Sequence, residues 1–340
     1  MKACVLEAVN KLIYKDVDTP SPKKGEVLVH IKACGICSSD FARVLKSGTY
    51  HFPTIPGHEF SGIVEQVGEG VSPHLIGKKV AVFPLLPCNS CPQCREKHYA
   101  QCAHYNYFGS RCDGGFAEFI AVPVWNIQPV SDDVPYEVAA LAEPAAVAWH
   151  AVAVADIQKG EKVGISGTGT IAMLAGLWAR RHGAEVVFFA RTEAKEKFLK
   201  SFQGFHVVRL KEGVTENDAS SLPGGMDVML ESVGTIESVK NSIELVKSRG
   251  RIVLIGNPAG DICLPQKVYW KLLRSEITVT GIWNSSYPDD WQAVIRELSP
   301  MKDDLAKLIT HKFPLSTGQK AFEELTHNAE FFIKGMYVNE

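Results

Sequence analysis

Nine cysteines stand in this chain, and four of them fall close together as Cys88-x2-Cys91-x2-Cys94-x7-Cys102. Four thiolates at this spacing can surround one tetrahedral Zn2+ and fill every coordination position. A closed site of that kind has no room for water, so its role is structural and not catalytic. Pro87 and Pro92 stiffen the loop without removing a ligand. The CxxCxxC run also occurs in iron–sulfur ligation, but there the fourth cysteine usually follows at a different spacing. Cys4, Cys34, Cys112 and Cys263 read as ordinary small apolar residues.

A second set of donors is scattered. Cys37 lies in GICSSD, His58 and Glu59 lie in PGHEFSG, and Glu143 lies in LAEPAAVAWH. Alone, each is weak, because a His-Glu pair on a loop is usually a solvated pair. Together they offer a soft sulfur, an imidazole and carboxylates, a set that suits zinc with one position open for water or substrate. Gly57, before His58, lets the backbone turn tightly.

A third pattern, Gly167-Thr168-Gly169-Thr170-Ile171-Ala172, follows the strand-like KVGIS and opens a helix. GxGxxA is a weak signal by itself, but between a strand and a helix it becomes a dinucleotide fingerprint. The first glycine makes the turn, the second admits the pyrophosphate, and the small last residue lets helix and strand pack. Gly167, Gly169, Thr170 and Ile171 are therefore the candidate cofactor turn. The next strand, EVVFFAR, ends in Ala190-Arg191-Thr192 where an acid would mark a free ribose 2′-hydroxyl. An arginine can fork onto a 2′-phosphate. Arg191 and Thr192 thus predict NADP(H) over NAD(H), the alternative being that Arg191 is a solvated strand-end charge.

Positioning these groups takes two kinds of element. Before about Tyr136 the chain reads as short β-branched strands broken by Gly and Pro, among them EVLVHIKACGI, FSGIVEQVG and GKKVAVFPLL, with no helical period. From VPYEVAALAEPAAVAWHAVAVA onward, helices alternate with strands, which predicts a parallel sheet with helices on both faces. HKFPLSTGQKAFEELTHNAEFFIKGMYV predicts one strand, one helix and a closing strand that returns to the first domain. The fold class is therefore α/β in two domains. Residues 1–147 and 282–340 form a β-rich catalytic, zinc-binding domain, and residues 148–281 form a Rossmann dinucleotide-binding domain.

Composition narrows the function. A length of 340 residues is ample for two cores, and 46% apolar with 22% charged residues is ordinary for a globular protein. The net charge of −2 gives no reason to expect nucleic acid or a membrane surface as partner. No apolar run reaches a membrane span, and MKACVLEAVNKLIYKD lacks the apolar block of a signal peptide. The expectation is a cytoplasmic protein, in which cysteines serve metals more than disulfides.

The order GICSSD, GHEFSG, cysteine lobe, DGGFAEF, EP pair and glycine-rich turn resembles the zinc-dependent medium-chain dehydrogenases along essentially the whole chain. Glu59 after His58, and Glu143 in the EP pair, resemble the sorbitol (polyol) dehydrogenase branch. PLLPC…CPQC, YAQCAHYNYFGSRCDGGFAEFIAV and LLRSEITVTGIW resemble the galactitol-1-phosphate dehydrogenases within it. The resemblance implies a GroES-like catalytic domain in which Cys37 and His58 bind a catalytic Zn2+. It makes Glu59 a further ligand or one that exchanges with water, and Glu143 the remaining ligand or a contact of zinc-bound water. Asp40 becomes the group that orients a ligand imidazole, or else a turn or helix-cap aspartate. Ser39 matches the hydroxyl that begins the family's proton relay, but the histidine that follows it in several relatives is Ala42 here.

The implied reaction is hydride transfer between a secondary alcohol and the nicotinamide. The implied substrate is a polyol phosphate such as galactitol 1-phosphate, with Arg43, Lys46 and Arg111 as candidate phosphate contacts. Asn284 and Ser285 stand where the sorbitol branch carries an arginine. The resemblance also implies a homodimer or homotetramer joined partly through edge strands. Two alternatives remain: a dehydrogenase of an unphosphorylated polyol, diol or sugar acid, and a zinc-free, quinone-reductase-like NADPH binder, which would lack both metal sets.

Overall fold

The computed structural model describes residues 1–210, 224–258, 260–327 and 331–339. The chain forms two compact units, Met1–Ala146 with Ser286–Glu340, and Val147–Ser285. The predicted return at residue 282 lies four residues before this boundary. The Ile282 N–H donates to Leu254 O and keeps that turn with the second unit.

In the first unit the strands are β1 (Lys2–Ala8), β2 (Lys11–Asp16), β3 (Glu26–Ile36), β4 (Glu59–Val67), β5 (Lys79–Val82), β6 (Leu85–Leu86), β7 (Asn106–Tyr107), β8 (Phe119–Pro123) and β9 (Ile127–Pro129). In the second unit they are β10 (Lys162–Ser166), β11 (Glu185–Ala190), β12 (Phe205–Arg209), β13 (Met226–Glu231), β14 (Val246–Leu254) and β15 (Thr278–Gly281). The chain then returns to the first unit with β16 (Ile309–Pro314) and β17 (Lys334–Val338).

The main sheet of the first unit runs β16-β17-β3-β4-β5-β9, with β8 also on β3. The long strand β3 shares one edge between two partners: Glu26 to His30 face β8, and Ala33 to Ile36 face β17. Its buried valines and isoleucine join Phe60, Phe116, Phe322 and Tyr337 in one core, so the last strand is packed into the body of the unit. β6 and β7 pair at the base of the cysteine lobe, which is the chain between them. The sequence predicts no helix before Tyr136. The structure has the turns Ser38–Ala42, Arg43–Ser47 and Pro92–Arg95, each too short to show a period.

The helix Asp289–Lys307, unmarked in the sequence analysis, does carry an apolar stripe. Trp291, Val294, Leu298, Met301 and Leu305 are buried along it, and Pro300 masks the pattern in the sequence.

The second unit is the expected parallel sheet, ordered β12-β11-β10-β13-β14-β15. Helices Thr170–Arg181, Glu193–Lys200, Ile236–Leu245 and Gln266–Arg274 lie between its strands in sequence. β11 runs to one side of β10 and β13 to the other, so the order reverses at β10, and in such sheets ligands bind outside the strand ends at that switch. Among the described residues no helix is long and apolar enough to cross a membrane.

Candidate functional site

Cys88, Cys91, Cys94 and Cys102 are brought together, their sulfurs all within 4.8 Å of one another. The Cys88–Cys94 and Cys91–Cys102 sulfur separations are 3.9 and 3.8 Å. Zinc–sulfur bonds of about 2.3 Å at tetrahedral angles place ligand sulfurs about 3.8 Å apart, so the lobe fits zinc. Backbone N–H groups of Cys88 and His104 donate to Cys102 Sγ at 3.3 and 3.4 Å. The Ser90 hydroxyl, with the N–H groups of Ser90 and Cys91, lowers the Cys88 thiol to about 5, while burial raises Cys94 to about 12. Cys4 and Cys34 are buried as expected of small apolar residues, but Cys263 is exposed, which corrects that reading for it.

Cys37, His58 and Glu59 form a second group whose donor atoms also lie within 4.8 Å of one another. Cys37 follows directly on β3 and precedes the turn Ser38–Ala42, while His58 and Glu59 enter β4 beside it, so two neighbouring strands bring them together. Gly57 has φ +93, and a Cβ there would meet Phe116 and Cys34, so the turn before His58 requires glycine. Asp40 is fully buried. Its Oδ2 accepts the Cys37 N–H at 3.0 Å, and its Oδ1 lies 3.5 Å from His58 Nδ1. The carboxylate thus faces the ring at Nδ1 without a hydrogen bond, and Nδ1 is a buried nitrogen with no hydrogen-bond partner among the described residues. Burial opposes the Asp40 charge, but His58, Arg43 and the Cys37 N–H together keep its carboxyl below the usual range.

The two glutamates have different partners. Both Glu59 oxygens accept from Lys334 Nζ, at 2.8 and 2.7 Å, and the third Lys334 donor goes to Ile36 O at 3.2 Å. Lys334 and Glu59 are 3% and 1% exposed, so this is a buried ion pair with every ammonium proton used. Burial works hardest against the ammonium, yet the charges of Glu59, Cys37 and Glu143 and the hydrogen bond to Glu59 together raise the Lys334 pKa. Glu143 has a neutral partner instead, the Tyr107 hydroxyl, which donates to Oε1 at 3.0 Å. Burial raises Glu143 to about 7, against which the His58 charge and the Tyr107 hydrogen bond act. Tyr107 also lies against the His58 ring, with centroids 5.7 Å apart. Neither Lys334 nor Tyr107 is given a role by the sequence: no motif surrounds Lys334, and the stretch that holds Tyr107 has no spacing that points to Glu143.

In the second unit, Gly167 takes φ +109, and a Cβ there would lie 2.6 Å from Ser232 Oγ. A Cβ on Gly169 would meet nothing within 4 Å, so space is open at the N-terminus of helix Thr170–Arg181, the positive end of a helix dipole and a setting that suits a phosphate. Arg191 is exposed just past β11, and Thr192 Oγ1 caps the next helix by accepting from Lys195 N at 3.3 Å. Ile171 is half-buried behind the turn.

Residues 23–132 match the alcohol dehydrogenase GroES-like domain, and residues 170–300 match the zinc-binding dehydrogenase family. The chain belongs to the zinc-dependent medium-chain dehydrogenases. It is 35% identical to galactitol 1-phosphate 5-dehydrogenase of Escherichia coli (strain K12), over 89% of this chain and 90% of that one. The crystal structure of galactitol-1-phosphate dehydrogenase from Escherichia coli superposes with a TM-score of 0.93, at 33% identity and full coverage of both chains. A zinc-binding dehydrogenase from Sinorhizobium meliloti 1021 bound to NADP has a TM-score of 0.91 at 26% identity, covering 99% of both chains. As a member of this family the protein is a zinc-dependent alcohol or polyol dehydrogenase with a GroES-like and a Rossmann-type domain.

The three cationic side chains assigned to substrate differ in their commitments. Arg43 Nη1 donates to Ser39 Oγ at 2.9 Å and Asp40 Oδ1 at 3.1 Å. The Arg111 guanidinium is flanked by the Tyr50 and Tyr105 rings and donates to Tyr105 O and Tyr50 Oη. Lys46 is exposed on the turn Arg43–Ser47.

Proposed function

We propose that the protein oxidises a secondary hydroxyl of a polyol phosphate, of the galactitol 1-phosphate kind, with NADP+ as acceptor. The observation that carries this reading is the 35% identity to galactitol 1-phosphate 5-dehydrogenase along most of both chains, joined to the Cys37–His58 donor set. Cys37 and His58 would hold the catalytic zinc, and the four cysteines of the lobe a structural one. Glu143 is the better carboxylate to complete the catalytic set. Lys334 already neutralises Glu59, whereas Glu143 has only a neutral phenol as partner and, with its pKa lifted to about 7 by burial, would give up its proton to a dication. Zinc, when bound, supplies a Lewis acid to the substrate hydroxyl, and the nicotinamide supplies the hydride acceptor.

The protein's own groups do the rest. Asp40 holds the Cys37 backbone by a hydrogen bond and sets its charge beside the His58 ring. Ser39 offers a hydroxyl that both accepts and donates, which suits it to take the substrate proton. Lys46 supplies an exposed ammonium for a phosphate, with Arg111 as the more constrained second candidate. The NADP+ preference rests on Arg191 at the end of β11, with no acid there to repel a 2′-phosphate. Exposed Tyr269, Trp270 and Leu273 on helix Gln266–Arg274, with Val279 on the edge strand β15 and Trp283 beyond it, support a homo-oligomer formed through that edge.

The test is reduced-nicotinamide absorbance with zinc-loaded protein, each cofactor, and a panel of sugar alcohols, free and phosphorylated. Turnover of the phosphates with NADP+, the free polyols being inert, is expected. Turnover of only free polyols, diols or sugar acids would discard the phosphate assignment, and equal Michaelis constants for NAD+ and NADP+ would discard the cofactor preference.

A further inference from the structure

Ser39, Asp40 and Arg43 share one face of the turns that follow Cys37, at spacings of three and four residues. Arg43 Nη1 reaches both partners, Ser39 Oγ at 2.9 Å and Asp40 Oδ1 at 3.1 Å. Asp40 in turn holds the Cys37 N–H and faces His58 Nδ1. One guanidinium nitrogen thus touches the hydroxyl placed to take the substrate proton and the carboxylate that steadies two residues of the metal set. We propose that Arg43 is a positioning residue of the catalytic centre and not an anchor for substrate phosphate. The proposal rests on the zinc dehydrogenase reading of this site.

The chemistry of the pair defines what Arg43 does. A serine hydroxyl has one proton and two lone pairs. Arg43 fills one lone pair with a proton that it never releases, so the proton of Ser39 and its remaining lone pair are turned to other partners. A guanidinium has no acceptor and stays charged, so Arg43 cannot be the next base after Ser39, and the alanine at position 42 offers none. Arg43 also supplies a charge-assisted hydrogen bond to a carboxylate that is fully buried. With its side chain 24% exposed and its Nη1 committed twice, it is poorly placed to wrap a phosphate.

The experiment compares Arg43→Ala and Arg43→Lys with wild type in the zinc-loaded, full-length protein. It measures kcat and KM for a phosphorylated and a phosphate-free alcohol, repeats the Arg43→Ala assay with added guanidinium, and records the visible spectrum of each cobalt-substituted protein. In Arg43→Ala, kcat is expected to fall about 30-fold for both alcohols with KM little changed, as for loss of a charged hydrogen bond. Guanidinium should restore part of that loss and leave wild type unaffected, and the cobalt bands should shift. A raised KM confined to the phosphorylated alcohol, with kcat and the cobalt bands unchanged, overturns the proposal, and so does no change in any readout. If Arg43→Ala fails to fold, Arg43→Lys decides by the same split between kcat and KM, because an ammonium cannot reproduce the guanidinium geometry. If wild type oxidises no alcohol in the panel, the substrate reading fails, while the cobalt spectra still decide the role of Arg43.

Discussion

The four-cysteine lobe takes all its donors from one short stretch, Cys88 to Cys102, whereas the second site gathers side chains from Cys37 to Lys334. The lobe presents four equivalent sulfurs with backbone N–H groups turned onto one of them. The second site mixes sulfur, imidazole and carboxylate, and each acid has its own counter-group: Arg43 and His58 for Asp40, Lys334 for Glu59, Tyr107 for Glu143. A closed set of like ligands stabilises a loop and can do no more. A mixed set with differently balanced carboxylates leaves one position to chemistry, at the cost of needing the whole domain to hold it.

The sharpest way to break this comparison is to remove one ligand from each side. Cys37→Ala should lower turnover by at least about 1,000-fold, because the Lewis acid is lost, while the thermal midpoint stays within a few degrees. Cys91→Ala should act in the opposite sense and lower the midpoint by on the order of 10 °C, since a structural metal contributes folding energy directly. Calorimetry and initial rates on both variants check this, and unchanged stability with lost turnover in Cys91→Ala contradicts the assignment. Next in size is Lys334→Met, which strands the Glu59 charge and should cost about 3–5 kcal/mol in denaturant unfolding. The double variant Glu59→Gln with Lys334→Met should recover most of that, and a strictly additive loss would mean that the two do not act as a pair.

The smallest effect concerns Glu143 in metal-stripped protein. Burial lifts its folded pKa from 4.5 to about 7, so the folded chain keeps a proton that the unfolded chain has lost. Its contribution to stability is full below pH 4.5 and is lost as pH rises through 7. Glu143→Gln should flatten that part of the profile, and an unchanged slope would assign the titration elsewhere.

The same contrast explains what the sequence makes legible. The lobe can be read outright, because its ligands are consecutive and the spacing is the geometry. The glycine-rich turn is nearly as plain, since strand, turn and helix are local and Gly167 requires its positive φ. Cys37, His58 and Glu59, whose donor atoms lie together, are legible only as a set. Lys334 is invisible, because KGMYV looks like any strand and only the pairing of β17 with β3 brings it to Glu59; Tyr107 lies in a stretch that carries the family resemblance, but nothing in its spacing points to Glu143. The two-domain plan follows from the change from broken strands to strand–helix alternation along the chain, but the helix Asp289–Lys307 hides behind Pro300.

Lys334 adds a matter of timing. Cys37, His58, Glu59 and Glu143 are all made before the second unit begins, yet the lysine that neutralises Glu59 is in the last strand. At about 5–20 residues per second, roughly 10–40 s of synthesis separate Glu143 from Lys334. During that interval the Glu59 carboxylate has no ammonium beside it and β3 has a vacant edge, so the nascent first unit has reason to stay open until its final strand arrives. A ribosome that stalls before Lys334 would leave a chain with Cys37, His58, Glu59 and Glu143 in place and the Glu59 carboxylate without its ammonium.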